Sequence, residues 1–165
     1  VGVIKCYTTR VGAGPFPTEL TDATGEHLRQ KGGEFGTTTG RPRRCGWFDA
    51  VVDRYSAMVN GVDFWAMTKL DVLDELPTIK ICTAYERDDG VRYETFPADL
   101  STLERCTPVY EEMPGWMTST STCTRYEELP IKARAYVERL VSLIGGRLGI
   151  LSVGPARETT LRLGL

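Results

Sequence analysis

The chain has 165 residues, of which 41% are hydrophobic, 25% charged and 9% aromatic; these fractions exclude a disordered tail, a collagen repeat or a coiled coil and suit a domain that buries its own core. Twenty Lys and Arg face 22 Asp and Glu, a formal net charge of -2, so no broad basic surface exists for nucleic acid and any anion site must be local. Five scattered cysteines without C-x-x-C spacing, a single histidine (His27) and no apolar run near the roughly 20 residues of a membrane span predict reduced thiols in a cytoplasmic chain with no zinc site and no membrane contact.

Taken in order, the β-branched run Val3 to Tyr7 predicts a strand that stops at the Gly- and Pro-rich turn Val11 to Pro17. The chain opens at Val1 without Met, so the strand is expected to begin in mid-domain. Asp22 is expected to cap a short, solvated helix with Leu28 as its apolar contact and Gly32-Gly33 as its stop. Gly36 to Arg44 has neither helical nor strand periodicity and reads as a loop. Phe48, Val51, Val52, Tyr55, Met58 and Val59 recur at helical spacing before Asn60-Gly61, which ends them, and predict a second helix.

Val62 to Met67 is a nearly continuous apolar run, the pattern of a strand covered on both faces in a parallel sheet. Alternation over Thr78 to Tyr85 and Val91 to Phe96, around Asp88-Asp89-Gly90, predicts a hairpin. The Pro-, Thr- and Ser-rich stretch Thr107 to Cys123 reads as an irregular connection. Pro130 opens a last helix with Ala133, Tyr136, Val137, Leu140, Val141 and Ile144 as its buried stripe, stopped by Gly145-Gly146 and followed by a strand over Leu148 to Ser152. The order predicts an α/β fold: a mostly parallel central sheet, flanking helices and an antiparallel hairpin.

Three loops invite chemistry. In Thr37-Thr38-Thr39-Gly40-Arg41-Pro42-Arg43-Arg44, hydroxyls, exposed backbone N–H groups and arginines can bind carboxylate or phosphate oxygens; the same residues also suit a solvated loop whose arginines pair with nearby carboxylates. Asp71, just beyond a buried parallel strand, stands where α/β folds place ligands. It could accept from the N1–H and N2–H₂ edge of guanine while the stem of Lys69 lies along the purine; an ordinary helix cap is the other reading. Ser152-Val153-Gly154-Pro155 follows the last strand, and its glycine permits close approach of a flat base or simply makes a turn.

The ordered set Tyr7 to Glu19, Gly36 to Trp47, Thr68 to Leu73, Met113-Pro114-Gly115-Trp116 and Ser152 to Pro155 resembles the C-terminal part of the adenylosuccinate synthetase family over nearly the whole chain. The resemblance implies one C-terminal segment, residues 1–165, with no separate second domain, of a homodimeric, magnesium-dependent ligase. That ligase joins IMP to L-aspartate at the expense of GTP, through 6-phosphoryl-IMP, in purine biosynthesis towards AMP.

By the same resemblance, Thr37, Thr38, Thr39, Gly40, Arg41, Pro42 and Arg43 form the loop over aspartate, with Arg41 reaching the IMP ribose and Arg43 the GTP side. Lys69, Leu70 and Asp71 hold the guanine, Ser152, Val153 and Gly154 complete its pocket, and Val11 touches the IMP ribose. Pro42 stands at a usually basic position and Ala156 at a usually acidic one. The family's phosphate-binding loop, catalytic Asp and His and magnesium ligands are expected upstream of Val1, so no catalytic residue and no metal ligand is expected in this segment, and the chain alone is expected to be inactive. The alternative is a stand-alone, non-catalytic module that binds guanine nucleotide or aspartate. A nucleic-acid partner is disfavoured by the negative charge and by the absence of aromatics among the loop arginines.

Overall fold

The apolar run expected to lie between two neighbours does so in the computed structural model, which describes residues 1–164. In chain order the strands are β1 (Gly2–Lys5), β2 (Thr8–Arg10), β3 (Arg44–Gly46), β4 (Phe48–Asp49), β5 (Phe64–Thr68), β6 (Thr78–Arg87), β7 (Arg92–Tyr93), β8 (Cys106–Pro114), β9 (Arg147–Ser152) and β10 (Thr160–Arg162). The helices are α1 (Ala23–Lys31), α2 (Ala50–Asn60), α3 (Leu100–Glu104) and α4 (Ile131–Ile144). The chain divides into two compact units, the first made of Val1–Cys6, Asp53–Ile79 and the residues from Glu112 onward, the second of Tyr7–Val52 and Lys80–Glu111.

In the first unit the sheet order is β1-β5-β9-β10. Strand β5 pairs parallel with β1 (Val3 opposite Ala66) and with β9 (Met67 opposite Leu151), and β10 closes the edge antiparallel to β9. Trp65, Met67 and Leu151 are buried, as a strand covered on both faces requires. Helix α4 starts after Pro130 and buries Ala133, Tyr136, Val137, Leu140 and Ile144, leaving Val141 half-buried. The Tyr136 hydroxyl donates to the Cys6 carbonyl at 2.8 Å and the Arg54 guanidinium to the Leu143 carbonyl at 2.8 Å, so these two polar groups are satisfied.

In the second unit β2 and β3 form an antiparallel pair, β4 lies parallel to β6, and β6 turns into β7 as the expected hairpin. Asp22 caps α1 by accepting from the backbone N–H groups of Thr24 and Gly25, both at 3.0 Å, and Leu28 is fully buried. Val51, Cys82, Tyr85, Leu103 and Cys106 form this unit's core cluster.

The fold is mixed α/β with a mostly parallel sheet in its first unit, flanking helices and an antiparallel hairpin. Several local expectations change. Thr107 to Cys123 is not irregular throughout, because β8 takes Cys106–Pro114 and pairs with β6. Its two prolines obscured the strand, yet a proline is tolerated where a strand leaves N–H positions unpaired. The second arm of the hairpin reaches only Arg92–Tyr93 and not Phe96. Phe48 belongs to β4, so α2 begins two residues later, and the periodic Tyr55, Met58 and Val59 of that helix are exposed. Among the described residues no helix is long and apolar enough to cross a membrane.

Candidate functional site

The parallel pairing of β5 and β9 brings two of the three candidate loops to one sheet edge. With Met67 opposite Leu151, both strands finish at the same end, and Lys69-Leu70-Asp71 leaves one strand beside Ser152-Val153-Gly154 leaving the other. This is the carboxyl edge where open α/β sheets bind ligands. Lys69 adopts φ 64 and ψ 34, the left-handed conformation that non-glycine residues rarely take. A 3-10 turn over Leu70–Leu73 follows, closed by Val72 N–H to the Lys69 carbonyl at 3.3 Å. The cap position belongs to Lys69, whose side chain makes no capping bond, so the reading of Asp71 as an ordinary helix cap does not describe this turn. Leu70 is fully buried and anchors the turn through its side chain, whereas Asp71 is half-buried. Burial pushes the Cys6 thiol up, and the negative charge of Asp71 adds to the effect.

Beside that turn the Ser152 hydroxyl donates to the Gly154 carbonyl at 2.8 Å and Val153 N–H to the Thr159 carbonyl at 2.9 Å. Val153 and Gly154 are buried. A side chain on Gly154 would begin 3.0 Å from the Thr159 hydroxyl, so the backbone here is closely packed. Ala156 caps the short 3-10 turn Arg157–Thr159 with no side-chain bond.

The third candidate loop belongs to the second unit. Gly36 and Gly40 close its tip: Gly40 N–H donates to the Gly36 carbonyl and Gly36 N–H to the Arg41 carbonyl, both at 2.8 Å. Gly40 sits at φ 63, a conformation that suits glycine. Thr37, Thr38, Thr39, Gly40, Arg41 and Pro42 are exposed, and the Thr39 hydroxyl accepts from Arg41 N–H at 3.3 Å. Among the described residues no carboxylate pairs with Arg41. Arg43 differs. Its guanidinium donates at 2.9 Å to Glu34, a fully buried carboxylate that also accepts from the Tyr7 hydroxyl at 2.6 Å.

Arg44 reaches Glu19 with two nitrogens, at 2.8 and 2.5 Å, and the carbonyls of Gly12 and Gly14 with a third, at 3.1 and 2.8 Å. Its bonds to Glu19 hold that carboxyl below the usual range. Arg10 adds bonds to the carbonyls of Ala13 and Pro15, both at 3.0 Å. These two arginines shape the turn from Val11 to Pro17, and Val11 is exposed on it.

Sequence reasoning missed Glu34, Arg10 and Arg44 as organisers because their partners are remote or lie in a turn with no periodicity. It missed Asp49 as well, although a polar residue preceding the run of α2 is a capping signal. Asp49 is 1% exposed, accepts from the Tyr85 hydroxyl at 2.6 Å and caps α2 through Val51 and Val52 N–H. Burial outweighs those bonds and raises its pKa to about 6. Among the described residues no group of three or more His, Cys, Asp or Glu could hold a metal ion.

The family model for adenylosuccinate synthetase matches residues 1–161. The adenylosuccinate synthetase of Heliobacterium modesticaldum is 60% identical over 164 residues, 99% of this chain and 38% of that protein. The one from Geobacter sulfurreducens is 56% identical over 161 residues, 98% of this chain and 37% of that protein. Among solved structures, fully ligated adenylosuccinate synthetase from Plasmodium falciparum superposes with a TM-score of 0.93 at 38% identity, covering 98% of this chain and 39% of that one. The chain therefore spans less than two fifths of the length of the proteins it matches.

Proposed function

Because the chain belongs to the adenylosuccinate synthetase family, we propose that it is the part of a GTP-dependent IMP–aspartate ligase that reads the guanine base and closes over aspartate. The observation that carries this reading is the juxtaposition of Lys69–Asp71 and Ser152–Gly154 at the carboxyl ends of neighbouring parallel strands.

Asp71 accepts from N1–H and N2–H₂ of guanine and repels adenine, whose N1 is itself an acceptor. The Lys69 stem lies along the purine face. Ser152, Val153 and Gly154 wall the base with close-packed backbone. In the second unit, Thr37, Thr38 and Thr39 donate hydroxyls and Arg41 a guanidinium to the carboxylates of aspartate; the exposure of this loop and the unpaired state of Arg41 support that role. Arg41 also reaches the IMP ribose, beside Val11, while Arg43 meets GTP with the nitrogens that Glu34 does not hold.

Phosphoryl transfer rests on positioning and charge neutralisation. By the family membership, the magnesium site, the phosphate-binding loop and the proton-transfer groups are assigned to the remainder of a longer, homodimeric, cytoplasmic protein. This chain alone then turns nothing over.

Asp71→Asn tests the reading in that longer protein. The substitution turns one acceptor into a donor, so GTP should weaken by about 1.5 to 3 kcal/mol, the range for a hydrogen bond to a charged group, and xanthosine triphosphate, whose C2 carbonyl accepts, should gain. Steady-state kinetics with unchanged preference between the two nucleotides would reject the assignment.

A further inference from the structure

We propose that Trp116 and Asp74 are positioning residues that hold the Lys69–Asp71 turn in the conformation that reads guanine. The inference rests on the guanine reading above and adds to it how the turn is kept in shape.

The turn needs such support. A lysine in the left-handed conformation is strained, and strained residues persist where their surroundings over-determine them. Asp74 follows the turn directly. Its backbone N–H donates to the Asp71 carbonyl at 3.3 Å, and its side chain is buried, with a residue exposure of 6%. That carboxylate accepts from Trp116 Nε1 at 2.7 Å, from Thr120 N–H at 2.7 Å and from the Thr120 hydroxyl at 3.0 Å. Thr120 is itself fully buried. A buried carboxylate met by several donors is fixed in place, since losing one would leave charge uncompensated.

The same tryptophan connects to the other end of the turn. Its ring meets that of Tyr136 at 5.9 Å between centroids, tilted by 48°. The Tyr136 hydroxyl donates to the Cys6 carbonyl, and Cys6 N–H donates at 2.9 Å to the carbonyl of Thr68, the residue before Lys69. The contacts thus grip the turn at Thr68 and at Asp74. Gly115 sets the depth of the grip. Its N–H donates to the Pro77 carbonyl at 2.9 Å, and a Cβ on it would stand 1.7 Å from the Leu76 carbonyl oxygen. Only glycine lets the tryptophan approach so closely.

Trp116→Phe keeps a ring against Tyr136 and deletes the donor to Asp74. In the complete protein that carries this segment, KM for GTP is expected to rise at least about tenfold, a change equivalent to about 1.4 kcal/mol. The preference for GTP over inosine triphosphate, which lacks the 2-amino group, is expected to shrink. The kcat at saturating nucleotide and the KM values for IMP and aspartate are expected to stay within about twofold, because those sites are not held by this grip. An unchanged KM for GTP overturns the proposal, and so does a uniform rise in all three KM values with a lowered melting temperature, the mark of a merely structural role.

Should Trp116→Phe fail to fold, Thr120→Val removes the hydroxyl donor while keeping the backbone one; a selective rise in KM for GTP of about threefold supports the proposal and no change rejects it. Asp71→Asn, run alongside, separates the two ideas. If it redirects preference to xanthosine triphosphate while Trp116→Phe does nothing, only the positioning role falls; if it changes nothing, the guanine reading falls and takes this inference with it.

Discussion

Arg41, Arg43 and Arg44 stand within four positions of one another and differ in surroundings. Arg43 and Arg44 are tied to Glu34 and Glu19, whereas Arg41 is exposed on the loop tip without a carboxylate partner. Arg41→Leu in the complete protein should therefore lower kcat/KM for aspartate at least about 100-fold while leaving the unfolding midpoint in place. Arg44→Leu should act the other way round. It loses a two-pronged pair with Glu19 and two carbonyl bonds, so urea unfolding should show a loss of about 1 to 2 kcal/mol with a far smaller effect on aspartate. Equal effects on both readouts would contradict the division.

The spacing T-T-T-G-R-P-R-R makes the loop legible as a candidate anion site. Nothing in it could say which arginine was already paired, because Glu19 lies 25 positions from Arg44.

Asp49 carries a pH signature. Its pKa rises from 3.8 to about 6 on folding because burial outweighs the bonds from Tyr85 and the start of α2. Between those two values the folded state binds more protons than the unfolded one, so the contribution of this group to stability is greatest below the unfolded pKa and falls as pH rises through the folded one. Relative to Asp49→Asn, which holds no titrating proton, the unmodified protein should lose about 2 to 3 kcal/mol of stability between about pH 4 and pH 7. Urea unfolding of both proteins at the two pH values measures the difference; a gap that does not change with pH would show that Asp49 does not titrate in this way.

At the scale of elements, α4 was readable and α2 only half so, for one physical reason. Helical spacing reports that a face is apolar, and says nothing of what covers it. In α4 the stripe is buried, with Leu140 fully enclosed; Leu140→Ala should cost about 2 to 5 kcal/mol in urea unfolding. Ile131→Ala, at a position 75% exposed on the same helix, should stay within about 0.5 kcal/mol. Comparable losses at both positions would contradict the packing described. In α2 the equally periodic Tyr55, Met58 and Val59 stay exposed.

Strand β5 was legible because the unbroken apolar residues Phe64 to Met67 leave no solvated face. Strand β8 was not, since Pro108 and Pro114 mask an alternation whose meaning comes from its partner β6. The short strands β2, β3, β4 and β10 have two or three residues each, too few to display any period.

At the scale of the whole molecule, parallel pairing turns scattered motifs into a site. Lys69 and Ser152 are 83 positions apart, and only the alignment of Met67 with Leu151 puts their loops on one edge. Tetrapeptide chemistry suggests a guanine reader; in the proposed reading the neighbouring strand end supplies the wall beside it. The family match covers residues 1–161 while the chain spans 38% of the Heliobacterium modesticaldum relative; in the proposed reading, base selection belongs to this segment and phosphate chemistry to the rest of the longer protein. The measurement that tests this most directly is adenylosuccinate formation by that complete protein from IMP and aspartate, with GTP or ATP as the phosphoryl donor. Turnover with GTP, little with ATP, and loss of that preference in Asp71→Asn are expected. Equal turnover with both nucleotides, or a GTP preference untouched by Asp71→Asn, would contradict that reading.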